Sequence, residues 1–213
     1  MNAAAFDTLL LGAWTTAWIS AVAIAGGVPA GLALALLREA RVPVIGHLIV
    51  AYVSLGRATP LVTLVLFVFI ASPVMGLPLD RYAAALLTLI LNTAAFNAEI
   101  WRASIRSFPR EQLEAARAAG MTRFLVFRRI MLPQIWVTAL PGLVNEMTLL
   151  IKASPAIAVI GIVDLTRVTN QIAAITFEPL PPILIATVIY MVVIGALVRL
   201  QRLLDQRARR LAM

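Results

Sequence analysis

Long apolar segments separated by short polar stretches make up most of the chain. Five of these segments contain a window of about twenty mainly apolar residues, which is the length that a helix needs to cross a bilayer. They extend over about residues 8–37, 47–71, 81–103, 130–151 and 181–203. The pattern therefore predicts an all-α integral membrane protein with five transmembrane helices in a single domain.

The segment between the fourth and fifth predicted spans is only partly polar. Its residues 157–163 are apolar but too few to cross the bilayer. We expect them either to re-enter from the external side or to lie against the bundle, because non-helical backbone at that depth has to face protein or water. The first span carries many small residues, among them Gly12, Gly27 and Gly31, which we interpret as sites of close helix packing.

Basic residues are concentrated on one side of the predicted bundle. That side holds the first loop, the loop between spans three and four, and the C-terminal tail, with Arg38, Arg41, Arg102, Arg106, Arg110, Arg117, Arg123, Arg128, Arg129, Arg199, Arg202, Arg207, Arg209 and Arg210. The other side holds Arg81, Lys152 and Arg167. The positive-inside rule then places the N-terminus outside and the C-terminus in the cytoplasm. This topology also explains the net charge of +8, so no nucleic acid partner is predicted.

Composition supports the membrane assignment and excludes several kinds of site. Hydrophobic residues are 62% of the 213, whereas a soluble domain has about 45–50%. There are no cysteines and one histidine, His47, so neither a disulfide framework nor a metal centre is predicted. The first apolar run is too long for a secretory leader and lacks a basic start, so we expect it to remain as a span.

The loop of residues 108–129 contains the signals of a short cytoplasmic helix. Pro109 suits the first helical position, and Glu111 and Glu114 lie where the helix dipole favours negative charge. Gly120 suits the stop, and Thr122 is placed to cap a second helix that leads into the fourth span. An amphipathic connector at the membrane surface and a helix that docks on another protein both account for this pattern.

A spaced signature distinguishes between these two interpretations. Glu114, Ala115, Ala116 and Gly120 are followed, after nine residues, by the sequence Ile130-Met131-Leu132-Pro133. This E-A-A, G, I-x-L-P spacing resembles that of the permease subunits of bacterial ABC importers. In that family the helix is the coupling helix, which fits a cleft on the ATP-hydrolysing subunit. The resemblance implies ATPase-docking roles for Glu111, Glu114, Ala115, Ala116, Gly120 and Arg123.

Further motifs resemble the polar amino acid branch of that family, the permeases for histidine, glutamine or arginine. Residues 57–61 read R-A-T-P-L where the branch has R-G-T-P-L, and residues 97–102 resemble its A-E-I-x-R stretch. Asn145, Glu146 and Lys152 match its N-E and L-L-K positions. After Lys152, however, the sequence is A-S-P-A where the branch has D-T-S-L. Importers of opines, ectoine-like solutes or modified amino acids therefore remain open.

Charged residues inside the predicted spans are the candidates for chemistry. A charge at the bilayer centre costs about 2.5–3.5 kcal/mol on insertion scales, so such residues have to face protein or water. We expect Glu99 to pair with Arg102 three residues later. Glu146 is either a packing partner of Lys152 or Arg57 or a group that holds a substrate ammonium. The candidates for the substrate path are Arg57, Thr59, Asn145, Glu146, Lys152, Ser154 and Asp164.

The chain lacks the G-x-x-x-x-G-K-[ST] phosphate loop, so ATP and Mg²⁺ are expected on a separate subunit and no catalytic residue is predicted. The resemblance implies two ATPase subunits, a second permease, an extracytoplasmic solute-binding protein and a location in the bacterial inner membrane. The alternatives from other classes are a membrane scaffold that moves no solute and an ion-coupled transporter that uses Glu146. The absence of an internal repeat argues against the second.

Overall fold

The computed structural model describes residues 3–40 and 42–211, with side chains in the last helix described through residue 199 and at 202 and 203. The described residues form helices joined by short turns. The helices are α1 (Ala3–Glu39), α2 (Pro43–Ala58), α3 (Leu61–Val74), α4 (Arg81–Arg106), α5 (Arg110–Ala118), α6 (Arg123–Val126), a π-helical turn (Phe127–Met131), α7 (Leu132–Ala153), a 3-10 helix (Ser154–Ile160), α8 (Leu165–Thr176) and α9 (Leu180–Leu211). The all-α prediction is confirmed.

Four helical stretches are long and apolar enough to cross a membrane on their own. They are Ala3–Glu39, Arg81–Arg106, Arg123–Ile160 and Leu180–Arg199. A fifth crossing requires α2 and α3 to be counted together, and the chain bends by 114° between these two helices. Both α1 and α9 extend beyond the predicted limits of the first and last spans. Four of the five predicted spans therefore overlap a helical stretch of this kind, and the second overlaps the bent pair α2 and α3.

The second predicted span, residues 47–71, is broken into two helices in the structure. The break falls at Thr59, where the backbone is extended (φ −87°, ψ 129°), immediately before Pro60. Proline has no N–H to donate and its ring disfavours the helical conformation of the preceding residue. Because Pro60 then starts α3, the helix resumes in a new direction.

The loop predicted over residues 108–129 is shorter than expected. Helix begins again at Arg123 and continues through the π-helical turn into α7, so residues 123–129 extend the fourth span. The Thr122 side chain accepts a hydrogen bond from the Leu125 N–H at 3.3 Å, which confirms the predicted cap. The segment of residues 157–163 packs against the bundle, because Ile157, Ile160 and Ile162 are buried in the core next to α3.

The packing of α1 against α4 forms the centre of the bundle and explains the small residues of the first span. A Cβ atom added at Gly31 would lie 2.6 Å from the Asn97 Cβ, and one added at Gly27 would overlap the Thr93 methyl group. At the far end of α1, Gly12 lies against the backbone of α8 at Leu165. Close approach of helix backbones needs small residues at the crossing, so the packing interpretation is confirmed.

The two ends of the bundle differ in charge. The C-terminal ends of α1 and α4 meet at one end, where Arg38, Arg102 and Arg106 lie with Glu39 and Glu99. We call this the basic end. Helix α5 follows α4 directly, and α8 packs at the opposite end of α1, so α5 and α8 lie at opposite ends of the bundle.

Candidate functional site

A small cavity lies where the break between α2 and α3 faces α4 and α7. We call it the central cavity. Its volume is ≈ 180 Å³, and three of its eight lining residues are polar: the walls are Thr59, Leu61, Asn92, Phe96, Glu146, Leu149, Leu150 and Ala153. A mainly apolar wall with a few polar groups is typical of a binding site for a small molecule.

Glu146 is the most buried charged group at this cavity, with 6% of its surface exposed. Among the described residues, Thr93 and Arg57 are the polar groups that act on this carboxylate, Arg57 from beyond ion-pair distance. The Arg57 guanidinium stands over the Phe96 ring, 5.4 Å from its centre, an arrangement that favours a cation. Neither of the two partners predicted for Glu146, Lys152 and Arg57, forms an ion pair with it within 4 Å in the described part of the chain, although Arg57 acts on its charge from further away.

Two contacts from α4 hold the end of α2 against this cavity. The Asn92 side-chain amide donates a hydrogen bond to the Gly56 carbonyl at 3.1 Å. The Tyr52 hydroxyl donates to the Leu91 carbonyl at 2.5 Å. Both contacts precede the break at Thr59, so α4 fixes the last turn of α2, which carries Arg57.

Asn92 and Thr93 are functional-site residues that the sequence analysis missed. Both belong to the third predicted span, where the sequence L-N-T-A-A-F-N places three polar side chains in an apolar helix. Polar side chains at membrane depth face the bundle interior or a cavity. That rule, applied to uncharged residues as well as to charged ones, would have found them.

Lys152 and Asn145 lie outside the central cavity. Lys152 is exposed at the end of α7 and faces a groove of ≈ 990 Å³ along α9, with Tyr190 and Arg199 among its walls. Asn145 precedes Glu146 but is exposed on another face of α7. The central cavity thus brings together Thr59 and Glu146 of the predicted path residues, whereas Arg57, Lys152 and Asn145 do not line it.

Ser154 and Asp164 have local partners at the opposite end from the basic end. The Ser154 hydroxyl donates to the Ile151 carbonyl at 2.8 Å, and the side chain is fully buried. Asp164 caps α8 by accepting the backbone N–H groups of Thr166 and Arg167 at 3.3 and 3.0 Å. Burial raises the pKa of the Asp164 carboxyl above its ordinary value, and these hydrogen bonds oppose the increase. The two residues support the chain around the 3-10 helix.

The predicted pair of Glu99 and Arg102 is confirmed and includes a third member. The Glu99 carboxylate accepts two hydrogen bonds from Arg102, at 2.5 and 3.0 Å, and a further one from Arg38 of α1. All three side chains are 22% exposed. A second ion pair between Arg106 and Glu39, at 2.7 Å, is more open, because Arg106 is 59% exposed. Glu99 thus joins α1 to the last turns of α4.

Replacing Glu99 with glutamine is expected to lower the free energy of unfolding by about 1–3 kcal/mol. The reason is that the guanidinium groups of Arg38 and Arg102, both largely buried, lose the negative charge with which they pair. The matched control is Glu39→Gln, which removes the same charge from the more exposed pair and should cost about 1 kcal/mol or less. Thermal unfolding of the two purified variants in detergent measures the difference. Equal losses would contradict the role assigned to Glu99.

Helix α5 lies across the basic end with one side buried and one exposed. Ala116 is 5% exposed, and Leu113 packs on the core cluster that contains Trp101. The Gln134 amide donates to the Gln112 carbonyl oxygen at 2.9 Å, which ties α5 to the start of α7. Of the six residues with a predicted docking role, all but Ala116 are exposed, namely Glu111, Glu114, Ala115, Gly120 and Arg123. The surface that these five residues form is called the α5 surface below.

Gly120 ends α5 with a left-handed backbone, φ +74°. A Cβ there meets no neighbour within 4 Å, so the cost of a side chain comes from the backbone alone. We expect Gly120→Ala to lower the unfolding free energy by about 1–2 kcal/mol. Gly120→Asn should cost less, because asparagine tolerates this conformation. Thermal unfolding of the two variants tests this, and an alanine variant no less stable than the asparagine one would contradict it.

Similarity to known proteins agrees with this geometry. A family model described as the inner membrane component of binding-protein-dependent transport systems matches residues 27–210. The glutamine transport system permease of Escherichia coli is 32% identical over 207 residues, which are 96% of this chain and 94% of that protein. The nopaline transport system permease of Agrobacterium fabrum is 32% identical over 210 residues, which are 94% of this chain and 87% of that protein. The arginine transport system permease of Bacillus subtilis is 35% identical over 159 residues, which are 74% of this chain and 73% of that protein.

Solved structures show the same architecture. A crystal structure of an amino acid ABC transporter with histidines matches with a TM-score of 0.86 and 31% identity, over 95% of this chain and 94% of that one. An inward-facing structure of the MetNI methionine ABC transporter matches with a TM-score of 0.78 over 95% of this chain and 98% of that one. Because the sequence identity is 20%, this match supports the fold alone. The chain therefore belongs to the family of inner membrane components of binding-protein-dependent transport systems, the permease subunits of ABC importers.

Proposed function

We propose that this permease imports a polar amino acid or a related small solute, and that the central cavity contacts the solute during passage. The observation that carries the proposal is a buried carboxylate, Glu146, in the wall of a small cavity, with a cation, Arg57, acting on it electrostatically from outside that wall. A zwitterionic amino acid needs an anion for its ammonium and a cation for its carboxylate. The names of the relatives, which specify glutamine, arginine and nopaline, support the same class and keep opines among the candidates.

The path through the membrane is completed by a second permease, identical or homologous. One copy has at most five crossings, and Arg57 is exposed on its surface, so the cavity is open on the side where a second copy would pack. In this arrangement the N-terminus is outside and the basic end is in the cytoplasm of a bacterial cell, at the inner membrane. A solute-binding protein delivers the solute to the opposite end.

Two separate ATPase subunits drive the cycle, with ATP and Mg²⁺ bound on them. The α5 surface docks on one of these subunits, and Gln112 and the buried Ala116 side connect α5 to α7 and to the core. A movement of the ATPase therefore reaches α7, and Glu146 with it. The E-A-A, G, I-x-L-P spacing and the exposure of Glu114 and Ala115 support this assignment.

Uptake in proteoliposomes tests the proposal. The permease is reconstituted with its ATPase and binding protein, and radiolabelled glutamine, arginine and nopaline are offered with and without ATP. We expect uptake of one of these solutes that requires both partners. Uptake driven by an ion gradient without ATP would support the ion-coupled alternative, and docking of the ATPase without any uptake would support the scaffold.

Glu146→Gln is expected to reduce this uptake by about tenfold or more, because a hydrogen bond to a charged group is worth about 1.5–3 kcal/mol. The matched control is Glu178→Gln, which makes the same change at an exposed position between α8 and α9. It should leave uptake unchanged. Uptake by Glu146→Gln equal to wild type, at equal protein level, would remove the carboxylate from the substrate path.

A further inference from the structure

Helix α7 contributes half of the wall of the central cavity as a stripe of four residues. Glu146, Leu149, Leu150 and Ala153 line the cavity, and their spacing of three and four residues places them on one face of the helix. The stripe extends over about two turns, or about 10 Å, so an amino acid can lie along it. Glu146 is the only one of the four that ionises. One end of the stripe therefore carries a carboxyl group and the other end carries no charge.

The charged groups near the cavity lie at the Glu146 end. Helices α4 and α7 run antiparallel, and Gly142 lies against Ile100. Glu146, one turn after Gly142, is therefore level with Phe96, one turn before Ile100. The Arg57 guanidinium stands over the Phe96 ring, 5.4 Å from its centre, and approaches from outside the wall. This end thus has one acidic and one basic side chain, the two groups that the ammonium and carboxylate of a zwitterion require.

The opposite end of the cavity is apolar. Leu150 belongs to the core cluster of the bundle, and Leu61, the first residue of α3, packs against the same cluster. Ala153 is the last residue of α7 and is exposed at the rim of the cavity. A charged solute group placed here would lose hydration without gaining a counter-ion from these residues, and such burial is strongly unfavourable. This end therefore suits an uncharged side chain.

The two neutral polar residues of the wall have their donors engaged by the backbone of α2. The Thr59 hydroxyl donates its proton to the Leu55 carbonyl at 2.8 Å. The Asn92 amide donates to the Gly56 carbonyl at 3.1 Å. A threonine hydroxyl has a single proton, so Thr59 offers only lone pairs to a solute, and the group of Asn92 left over is its carbonyl oxygen. These oxygens favour a solute that donates a hydrogen bond and disfavour a carboxylate, which only accepts.

A cationic solute side chain finds no anion in this cavity. Glu146 is the one ionisable residue among the eight described residues that line it, and the solute ammonium already requires that carboxyl group. The further charge at the cavity, Arg57, has the same sign as such a side chain. The conclusion holds for either protonation state of Glu146, because a neutral Glu146 leaves the wall with no anion at all.

We propose that the central cavity selects an amino acid whose side chain is uncharged and donates a hydrogen bond, as the amide of glutamine does. Leu61, Leu150 and Ala153 then form the side-chain end of the site, and Ala153 determines specificity because it places no carboxylate there. The inference rests on the proposed function for the position of the solute in this cavity. Arginine and nopaline, which carry a guanidinium group, are rejected by the permease itself.

A carboxylate introduced at Ala153 tests this assignment. Binding of radiolabelled glutamine and arginine is measured on the permease–ATPase complex in nanodiscs, without the solute-binding protein, whose own selectivity would otherwise enter. We expect the wild type to bind glutamine at least about tenfold more tightly than arginine. Ala153→Asp should tighten arginine binding by about tenfold to a hundredfold, the range for one hydrogen bond to a charged group. Ala153→Asn, of similar size but uncharged, should not gain arginine.

Two further variants make the comparison independent of one substitution. Leu149→Asp introduces a carboxylate at a second wall residue that is 49% exposed, and it should also gain arginine. Ala174→Asp adds the same charge at an exposed position on α8, and it should change the binding of neither solute. The proposal is overturned by equal binding of both solutes to the wild type, by equal gains for Ala153→Asp and Ala153→Asn, or by no gain in either aspartate variant at the cavity.

Glu146→Gln separates a failure of this inference from a failure of the proposed function. If the wild type binds glutamine and arginine equally and Glu146→Gln weakens both, the cavity is the solute site and only the selectivity is wrong. If the wild type binds neither solute, or if Glu146→Gln leaves glutamine binding unchanged, the solute does not use this cavity and both proposals fail. Glutamine binding that depends on Glu146, together with a gain of arginine in Ala153→Asp, supports both.

Discussion

Replacing Ala115 with tryptophan is expected to abolish ATP-driven uptake while leaving the helical bundle folded. Ala115 is exposed in the middle of the α5 surface, whereas its neighbour Ala116 is buried against the core. A bulky side chain at Ala115 therefore disturbs no contact within the chain. It does prevent close approach of a partner, because packing at the core of a protein interface is as dense as in a protein interior.

The measurement is co-purification of the ATPase subunit with the tagged permease, followed by uptake. Ala174→Trp is the matched control, since Ala174 is an exposed alanine on α8, at the opposite end of the bundle, and it should retain the ATPase. Ala116→Trp should fail differently, by lowering the yield of folded permease, because it overfills a packed site. Normal binding of the ATPase by Ala115→Trp would show that the α5 surface is not the docking site.

Gly31→Val is expected to have the largest effect on folding, a loss of about 3 kcal/mol or more in unfolding free energy. The Cβ alone would lie 2.6 Å from the Asn97 Cβ and 3.0 Å from two backbone atoms, the Asn97 carbonyl carbon and the Ala98 nitrogen. Backbone of a helix cannot move aside as a flexible side chain can. The variant therefore has to separate α1 from α4, the most extensive contact in the bundle.

Gly46→Val is the control for Gly31→Val, because a Cβ at Gly46 of α2 meets nothing within 4 Å. It makes the same substitution within a helix, and helix propensity predicts a change of less than about 1 kcal/mol. Thermal unfolding in detergent, with monodispersity on gel filtration as a second measure, compares the two. Similar stabilities would contradict the close approach of α1 and α4 at Gly31.

The second span shows how far a sequence pattern can locate an element without giving its shape. The apolar residues over 47–71 coincide with the helix pair α2 and α3, and Pro60 was visible within them. A proline inside a span leads equally to a kink or to a complete break, and neighbouring helices decide between them by satisfying the freed backbone groups. Here Asn92 binds the Gly56 carbonyl from α4, and the chain turns through 114°.

Charged residues were identified more readily than their partners. Glu99 and Arg102 were predicted to pair because they are three apart on one helix, and the structure confirms this. Arg38 joins them from α1, 61 positions away in sequence, and no local spacing indicates that contact. Helix α8 was not predicted, since its twelve residues are only partly apolar and its cap, Asp164, was interpreted as a group in the substrate path.

The sequence by itself determined that this protein is a helical membrane protein, where its crossings lie, and that one loop carries the signature of its family. These are properties of neighbouring residues, because apolar length and motif spacing are local in the chain. Only the tertiary structure decided which groups meet at the cavity. Thr59 lies at the break after α2, Asn92 on α4 and Glu146 on α7, and they line one cavity because of how these helices pack and how each is rotated about its axis.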